Sequence, residues 1–395
     1  MKLPALEKAN VSGKTVFLRA DLDVPLETQN SKLKTQNFIE DDTRLKAGLP
    51  TIEYLLKNGA KVIIAGHLGR PEGIDKSLSL EPVTHWLNCH PEFILQQAQD
   101  GELAESISGS RSSGDEMPKS IRQAQDPEFT EGLVRHDMIK TKLGDFDGWE
   151  LSDNLFLLEN LRFYKGEEDN DWGFAKKLAS LADIYINDAF AVCHRAHASI
   201  VSVPKYLPHF AGLHLQEEVR VLSGVLENPN RPLVLIIGGA KIETKLPLVE
   251  KMRDFADYVL VGGKIVKEIT PLLKSNPKAT NKKGTLLIAY LNQDGFDITK
   301  ENVDEFLKII NTAGTIVWNG PVGYVEIKEG TYGSRKLAEG IVKSKAYTIV
   351  GGGDTLGFLK HLGLLDKFSF ASTGGGAMLE FLSGKKLPGI IAILS

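Results

Sequence analysis

The chain has little of what marks secreted, membrane and metal-cluster proteins. Only 2 of its 395 residues are cysteines, and Cys89 and Cys193 form neither a CxxC pair nor a metal-ligand spacing. We therefore predict two buried thiols in a reducing compartment. The first residues lack the apolar stretch of a signal peptide, and no apolar run approaches the roughly 20 residues that span a bilayer. These absences predict a cytoplasmic protein without a membrane partner.

A large net charge and two common nucleotide motifs are also missing. The formal net charge of −4 argues against general nucleic-acid binding, which favours a basic domain. Gly13-Lys14-Thr15 resembles the end of a P-loop, but Lys8 occupies the position of its first glycine and a strand pattern follows instead of a helix. No GxGxxG motif with a following ribose carboxylate is present, which gives a nicotinamide-binding fold little support. Any cationic site must therefore be local.

Apolar, β-branched runs alternate with helical patterns along the chain. Such runs predict parallel sheets covered on both faces, and ligands bind such sheets at the carboxyl ends of the strands. Prolines interrupt the pattern at 204 and 208, and a long helix is predicted over 213–226, which places a domain boundary near 206–212. The predicted strands are 16–20, 61–65, 155–158, 183–186, 233–237, 258–261, 284–289, 315–318 and 347–350.

One segment, from about residue 96 to 130, departs from this alternation. It is rich in Gln, Ser, Gly and Asp, and Gln97-Ala98-Gln99-Asp100 recurs as Gln123-Ala124-Gln125-Asp126. Polar, repetitive composition of this kind is typical of a surface insertion. A functional interaction loop is the alternative.

Two glycine triplets near the C-terminus predict phosphate binding. Gly351-Gly352-Gly353-Asp354-Thr355 and Ser372-Thr373-Gly374-Gly375-Gly376-Ala377 each follow an apolar run and precede a helical pattern. Glycines between a strand and a helix let backbone N–H groups close on an anion at the positive end of the helix dipole. Because Asp354 can hold Mg²⁺, the pair favours a polyphosphate ligand.

Two further strand ends in the second half carry candidate phosphate and ribose contacts. Gly239 and Lys241 end one strand, and Lys245 follows four residues later on the same helical face. Asn319 ends another strand, where its amide can donate to a phosphate, and Glu326 can accept from ribose hydroxyls. A surface helix with paired lysines, and a turn packed on Trp318, are the structural alternatives.

In the first half, arginine and histidine recur at strand ends. Arg is suited to bidentate recognition of phosphate and carboxylate. Each of these residues alone is more often part of a structural salt bridge, but several loops of one parallel sheet supply them. We interpret the set as a basic bowl for a small, multiply anionic substrate, in a kinase that holds its nucleotide in the other half. The charged and histidine residues at or after these strand ends are Arg19, Asp21, Asp23, Arg44, His67, Arg70, Arg162, His194, Arg195 and His197.

These motifs, taken in order, resemble the phosphoglycerate kinase family. The resemblance runs from about Val16 to Pro388. The matching runs are Phe17-Leu18-Arg19-Ala20-Asp21, Asp42-Thr43-Arg44, His67-Leu68-Gly69-Arg70-Pro71, Leu158-Glu159-Asn160-Leu161-Arg162-Phe163, Asn187-Asp188-Ala189-Phe190, His194-Arg195-Ala196-His197-Ala198-Ser199, Gly238-Gly239-Ala240-Lys241, Val317-Trp318-Asn319-Gly320-Pro321 and both glycine triplets.

The resemblance implies an α/β fold of two doubly wound, Rossmann-like parallel-sheet domains that are joined by an interdomain helix and close about a hinge. The expected division is 1–208 for the 3-phosphoglycerate domain, 209–228 for the helix, 229–378 for the nucleotide domain and 379–395 for a tail that returns to the first domain. The implied reaction is 1,3-bisphosphoglycerate + ADP ⇌ 3-phosphoglycerate + ATP, with Mg²⁺, in a glycolytic monomer.

The resemblance also distributes roles among the candidate residues. By resemblance, the basic bowl is expected to bind 3-phosphoglycerate, together with Asp23, and it comprises Asp21, Arg44, His67, Arg70, Arg162 and Arg195. Arg44, Lys241, Gly375 and Gly376 are expected to act on the transferred phosphoryl group. The expected MgATP contacts are Gly239, Lys241, Lys245, Asn319, Glu326, Gly352, Gly353, Asp354 and Thr355, with Asp354 as the metal ligand.

Three departures from the family pattern leave an alternative open. Asp23 replaces a usual Asn, so that a negative charge is expected to face an acidic substrate unless a cation such as Arg19 or Arg44 neutralises it. A usual glycine-rich run reads Gly262-Gly263-Lys264-Ile265-Val266, and the stretch 274–297 is short. The alternative function is therefore a catalytically weakened, ligand-binding relative.

Overall fold

The structure is a computed structural model that describes residues 1–30, 35–89, 139–239, 246–267 and 284–395. The predicted insertion at 96–130 lies outside these ranges. The chain divides into two units. The N-terminal unit comprises Leu3–Ala189, Arg195–Leu215 and Ala392–Ser395, and the C-terminal unit comprises Met1–Lys2, Phe190–His194 and Gln216–Ile391.

A seven-stranded sheet forms the centre of the N-terminal unit, in the order β5-β6-β7-β4-β1-β8-β9. The β1 strand pairs in parallel with β4 and β8, and its residues Val16, Phe17 and Leu18 are completely buried. Burial on both faces explains why the sequence of β1 is a continuous apolar run. The strands of this unit are β1 Thr15–Arg19, β2 Leu26–Asn30, β3 Thr35–Ile39, β4 Lys61–Ala65, β5 Ile139–Leu143, β6 Phe146–Ser152, β7 Leu155–Leu158, β8 Ile184–Asn187 and β9 His209–Ala211.

Helices and short turns cover this sheet. Leu45, Leu49 and Ile52 recur at helical spacing and bury one face of α1. The helices are α1 Thr43–Lys57, α2 Glu81–Asn88, α3 Lys165–Glu168 and α4 Trp172–Ala179, with 3₁₀ turns at Leu6–Lys8, Lys76–Leu78, Leu161–Phe163 and Val203–Lys205 and a single π-helical turn at Ala198–Ser202.

One edge of the N-terminal sheet differs from the parallel pattern expected from the sequence. The β5, β6 and β7 strands pair antiparallel, and β2 and β3 form a separate antiparallel hairpin. The parallel strands β7, β4, β1, β8 and β9 remain the part of the sheet that carries the candidate site. Cys89 is exposed at the end of α2, so the prediction of two buried thiols is wrong for Cys89 and correct for Cys193.

The C-terminal unit is built on a six-stranded sheet in the order β12-β11-β10-β13-β14-β15. Each neighbouring pair in this order is parallel. Its strands are β10 Leu233–Ile237, β11 Tyr258–Val261, β12 Thr285–Ile288, β13 Thr315–Asn319, β14 Tyr347–Gly351 and β15 Phe370–Ser372. Its helices are α6 Leu246–Met252, α7 Lys300–Ile310, α8 Tyr332–Lys343, α9 Gly353–His361, α10 Gly375–Leu382 and α11 Pro388–Leu394, with 3₁₀ turns at Phe190–Val192, Lys328–Gly330 and Leu365–Lys367.

Helix α5, Leu213–Glu227, contains the division between the units. Its first three residues belong to the N-terminal unit, and Gln216 begins the long C-terminal segment. The helix agrees with the one predicted over 213–226. Among the described residues, no helix is long and apolar enough to cross a membrane.

Candidate functional site

Arg44 and two carboxylates lie at the carboxyl end of β1. Arg44 stands in the first turn of α1, and its Nη1 lies 3.2 Å from Asp21 Oδ1 and 3.8 Å from Asp23 Oδ2. Asp21 is buried, whereas the Arg44 side chain is 25% exposed. The negative charge of Asp21, opposed by burial, raises the pKa of the Arg44 guanidinium. Arg44 is therefore a fixed cation, aimed by its carboxylate partners and still open to solvent.

Asp23 is held by groups from two further segments. Its Oδ1 accepts the backbone N–H of Gly69 at 2.8 Å, and its Oδ2 lies 3.7 Å from His67 Nε2. With Arg44 also near, the carboxylate is paired within its own unit. The expectation of an unpaired charge facing the substrate is thus corrected in favour of the alternative, with Arg44 as the neutralising cation.

His67 follows β4 and is buried. Burial, followed by the positive charges of Arg19 and Arg162, lowers its pKa well below the usual value. The ring is consequently neutral at neutral pH. His67 contributes an N–H group to the basic bowl, while its arginines contribute the positive charge.

Arg162 lies in the turn after β7 and is buried. Its Nη1 donates to the carbonyl of Gly69 at 2.5 Å, and its Nε lies 3.3 Å from Glu168. Burial and the nearby Arg195 lower its pKa. Arg70 is exposed at the rim and Arg195 is half-buried. The geometry thus brings Asp21, Arg44, His67 and Arg162 together, with Arg195 beside Arg162.

In the C-terminal unit, glycines allow two strand-end loops to approach closely. Gly238 donates its N–H to Asn319 O at 2.9 Å, and Gly239 donates to Pro321 O at 2.8 Å. A Cβ on Gly238 would collide with the carbonyls of Gly320 and Pro321. The loop after β10 therefore requires glycine because its backbone lies directly against the loop after β13.

The loop after β14 has the backbone expected of a phosphate cradle. Gly352 has a φ of +97°, a conformation that favours glycine, and Gly353 begins α9. Asn319 Nδ2 donates to Gly375 O at 3.1 Å. The N-terminus of α10 is thereby tied to the end of β13. Because α9 and α10 follow the neighbouring parallel strands β14 and β15, the arrangement suits a multiply charged anion.

Thr355 supports the cradle from within. It is fully buried; its hydroxyl accepts the N–H of Gly320 at 3.0 Å, and its own N–H donates to Gly352 O at 3.0 Å. These hydrogen bonds show that Thr355 holds the β13 and β14 loops together, and its expected contact with the nucleotide stays a prediction.

Asp354, Glu326 and Gly376 are exposed. Among the described residues, no group of three or more His, Cys, Asp or Glu is arranged to hold a metal ion. A single carboxylate such as Asp354 fits Mg²⁺, which is commonly bound by one or two carboxylates together with substrate phosphates. Lys241 and Lys245 lie outside the described residues.

Sequence reasoning missed the buried groups behind the bowl. Glu167 and Ser199 are fully buried and connect to His67 through Arg19. Ser199 stands within a matched motif, but Glu167 lies in an acidic run that is typical of a solvated helix end. Its burial depends on tertiary packing and leaves no local signal in the sequence.

A family model described as phosphoglycerate kinase matches residues 6–109, 149–283 and 272–385. The match includes the strand ends that carry the basic bowl and the glycine cradle. It leaves residues 110–148 unmatched, a stretch that overlaps the predicted insertion.

Full-length relatives have the same name. The chain is 35% identical to phosphoglycerate kinase from Leptospira biflexa, covering 100% of the chain and 99% of the relative, and 34% identical to the cytosolic phosphoglycerate kinase 3 of Arabidopsis thaliana, covering 98% and 97%. Among solved structures, phosphoglycerate kinase from Coxiella burnetii is 32% identical with a TM-score of 0.71, covering 100% of this chain and 99% of that one.

The corresponding structure from Pyrococcus horikoshii gives a TM-score of 0.72 at 25% identity, with 99% and 98% coverage. Family model, sequence relatives and solved structures agree over nearly the whole chain. The chain belongs to the phosphoglycerate kinase family and is a phosphotransferase enzyme.

Proposed function

We propose that the chain catalyses reversible phosphoryl transfer between 1,3-bisphosphoglycerate and ADP, which gives 3-phosphoglycerate and ATP. The observation that carries this proposal is the end-to-end match to relatives named phosphoglycerate kinase. The charge distribution within each unit supports it, because each unit offers a separate anion site of the expected type.

In the N-terminal unit, the basic bowl is proposed to bind 3-phosphoglycerate. Arg44 and Arg162 lie near the same strand ends and present planar donors suited to carboxylate and phosphate oxygens. Both are oriented by partners inside the unit: Arg44 by Asp21, and Arg162 by the carbonyl of Gly69. His67 would add a neutral N–H donor, and Arg70 and Arg195 would complete the rim.

In the C-terminal unit, the N-termini of α9 and α10 are proposed to hold the nucleotide phosphates. Backbone N–H groups at Gly352, Gly353, Gly375 and Gly376 supply donors, and Asn319 fixes the spacing of the two loops. Asp354 would hold Mg²⁺ with ATP or ADP, where the ion supplies charge neutralisation for the phosphate oxygens. Glu326 is proposed for the ribose, and Gly239, Lys241 and Lys245 for the phosphates.

The chemistry requires positioning and charge stabilisation. In the direction of ATP use, a carboxylate oxygen of 3-phosphoglycerate bonds to the γ-phosphorus while the bond from that phosphorus to the ADP oxygen breaks. The attacking carboxylate is already ionised, so the reaction needs no general base. Arg44, which remains protonated, is the group we propose to act on the transferring phosphoryl from the N-terminal unit.

The catalytically weakened alternative is not favoured. It rests on the charge of Asp23, which is paired with Arg44 and hydrogen-bonded to Gly69, and on the short stretch 274–297, which lies partly outside the described residues. Hinge closure, a monomeric state and a cytoplasmic location remain proposals from the resemblance.

A coupled spectrophotometric assay of the purified chain tests the proposed function. With MgATP and 3-phosphoglycerate we expect ADP formation that requires both substrates. Omitting 3-phosphoglycerate reports any background hydrolysis of ATP. Absence of acceptor-dependent ADP formation in protein that is folded by circular dichroism would overturn the proposal.

A further inference from the structure

A buried series of hydrogen bonds leads to His67 from the interior of the N-terminal unit. The residues of the series that precede His67 are buried: Glu167 and Ser199 are both 0% exposed, and Arg19 is 1% exposed. Glu167 accepts the backbone N–H of Ser199 at 2.9 Å and the Ser199 hydroxyl at 2.6 Å. Ser199 lies in the π-helical turn, and its carbonyl accepts the hydroxyl of Tyr185 at 2.8 Å. Ser199 is thus fixed in both position and proton direction.

The proton direction at Ser199 determines the orientation of Arg19. Because the single hydroxyl proton of Ser199 points to Glu167, its oxygen can accept, and Arg19 Nε donates to it at 2.8 Å. Arg19 Nη1 donates to the carbonyl of Ala20 at 2.5 Å. With these two edges of the planar guanidinium fixed, Nη2 lies 3.2 Å from His67 Nδ1.

This contact selects one protonation state of the imidazole. A guanidinium has donors and no acceptor, so His67 Nδ1 must be the unprotonated nitrogen. The ring proton is therefore on Nε2, which lies 3.7 Å from Asp23 Oδ2. The other charged or titratable groups around the ring are Arg44, Arg162 and His197, and all of them disfavour a second proton.

We propose that Glu167 and Ser199 are positioning residues which, through Arg19, hold His67 as the Nε2–H tautomer for binding the anionic substrate of the N-terminal unit. The identity of that substrate rests on the proposed function. An Nε2–H group donates to a carboxylate or phosphate oxygen, whereas the opposite tautomer would present a lone pair and repel it. The buried glutamate therefore acts on His67 at a distance, through two hydrogen-bonded neighbours, Ser199 and Arg19.

The ring nitrogens of His67 provide the decisive measurement. We would record ¹⁵N NMR spectra of the histidine rings at pH 7.5 and assign His67 by its loss in His67→Gln. In the unaltered chain we expect a protonated Nε2 and an unprotonated Nδ1. A doubly protonated ring, or the Nδ1–H tautomer, would overturn the proposal without recourse to any variant.

Two variants interrupt the series at different points. The Glu167→Gln side chain has one acceptor and one donor, but it faces two donors, the backbone N–H and the hydroxyl of Ser199. Ser199→Ala removes the oxygen that accepts from Arg19 Nε. In both we expect the Nδ1–H tautomer to become populated. Asp169→Asn is the matched control, since this neighbouring carboxylate is 57% exposed and pairs only loosely with Lys165, at 3.9 Å; it should retain the tautomer of the unaltered chain.

Kinetics separate positioning from a merely structural role. Both variants should raise the KM for 3-phosphoglycerate about tenfold, the usual consequence of losing one charge-directed hydrogen bond, with the KM for ATP unchanged. Retention of the original tautomer in either folded variant would contradict the proposal. If Glu167→Gln fails to fold, Ser199→Ala and the unaltered chain still decide it. An inactive chain with the predicted tautomer would count against the proposed function alone.

Discussion

Asp23 stands where the family pattern usually has asparagine, and its carboxylate shares Arg44 with Asp21. Its Oδ1 also accepts the N–H of Gly69. Asparagine can replace this acceptor but cannot reproduce the charge. The negative charge is already offset inside the unit, so the change removes little net repulsion from an incoming anion.

We accordingly predict that Asp23→Asn leaves the KM for 3-phosphoglycerate unchanged or raises it by no more than about twofold, a small effect that screening by Arg44 and solvent makes reasonable. Asp23→Ala, which also loses the acceptor for Gly69, should raise the same KM further. Steady-state kinetics at fixed MgATP measure both. A several-fold lower KM in Asp23→Asn would restore the repulsion argument.

Arg44 carries the strongest catalytic prediction. Replacing it with Ala should reduce kcat by about 10³-fold, by analogy with arginines that stabilise phosphoryl transfer, while ATP binding is little affected. An interaction that strengthens only in the transition state affects kcat in this way. Lys46→Ala is the control, because Lys46 lies on the same helix, is 59% exposed and pairs with Asp42. Near-normal turnover of Arg44→Ala would remove Arg44 from the catalytic group.

The lowered pKa of His67 leads us to predict that the stability of the chain depends on pH. Its pKa is lowered in the folded chain, so below pH about 6.5 the unfolded chain binds a proton that the folded chain does not. Stability should therefore be full above that pH and decrease as the pH falls, by up to about 1.4 kcal/mol per pH unit from this group.

Urea unfolding at pH 7.5 and 5.5 measures this effect. Between pH 7.5 and 5.5, His67→Gln should lose less free energy of unfolding than the unaltered chain. His361→Gln, which changes an exposed histidine, should lose as much as the unaltered chain. An equal loss in His67→Gln and the unaltered chain would show that His67 is not the group responsible.

At the scale of helices and strands, the sequence predicted the interior parallel strands well but missed the interior antiparallel strand β6. Residues 61–65, 155–158, 233–237 and 258–261 are strands at the predicted bounds, because a buried parallel strand is a continuous apolar run between turn residues. The edge strand β5 was not predicted. It is largely exposed, and an exposed edge carries no apolar run for the sequence to reveal.

The starts of α9 and α10 illustrate a second limit. The apolar patterns that follow the two glycine triplets begin at Leu356 and Met378, whereas the helices begin at Gly353 and Gly375. Glycine has poor helix propensity, so these first turns depend on tertiary contacts such as that between Asn319 and Gly375. Strand-end positions of the arginines were likewise predictable, whereas the contact of Arg19 with Ser199, 180 residues away, was not.

Two glycines of the α9 segment give opposite predictions. Gly352→Ala places a side chain at φ +97°, which should cost about 1–2 kcal/mol in stability and raise the KM for ATP by displacing the cradle. Gly357→Ala, inside α9 with nothing within 4 Å of its added methyl, should stabilise the chain by up to about 1 kcal/mol. Thermal unfolding and ATP kinetics of the pair measure both effects. Equal shifts in Tm would show that backbone conformation at 352 is not the cause.

At the scale of the whole molecule, the family model separates the parts of the chain that are common to the family from a stretch that is not. The family model covers the C-terminal sheet and the parallel strands of the N-terminal sheet, including the strand ends of the basic bowl and the cradle, but leaves 110–148 unmatched. Within that stretch, residues 139–148 contribute β5 and the start of β6 to the N-terminal sheet, so only the part before them is a candidate for removal. The second copy of the repeated polar motif of the predicted insertion, Gln123-Ala124-Gln125-Asp126, lies on this part.

Excision of residues 110–126 should therefore leave a folded enzyme whose kcat and KM values lie within a few-fold of those of the unaltered chain. The physical reason is that a polar, apolar-poor segment contributes little buried surface, and the entropy of loop closure changes only slowly with loop length. Thermal unfolding and the coupled assay measure the two quantities. As a control, a Gly-Ser segment of equal length in the same place should behave like the excised chain. A large loss of stability or turnover on excision, restored by the natural segment but not by Gly-Ser, would show that its particular sequence is integral to the N-terminal unit.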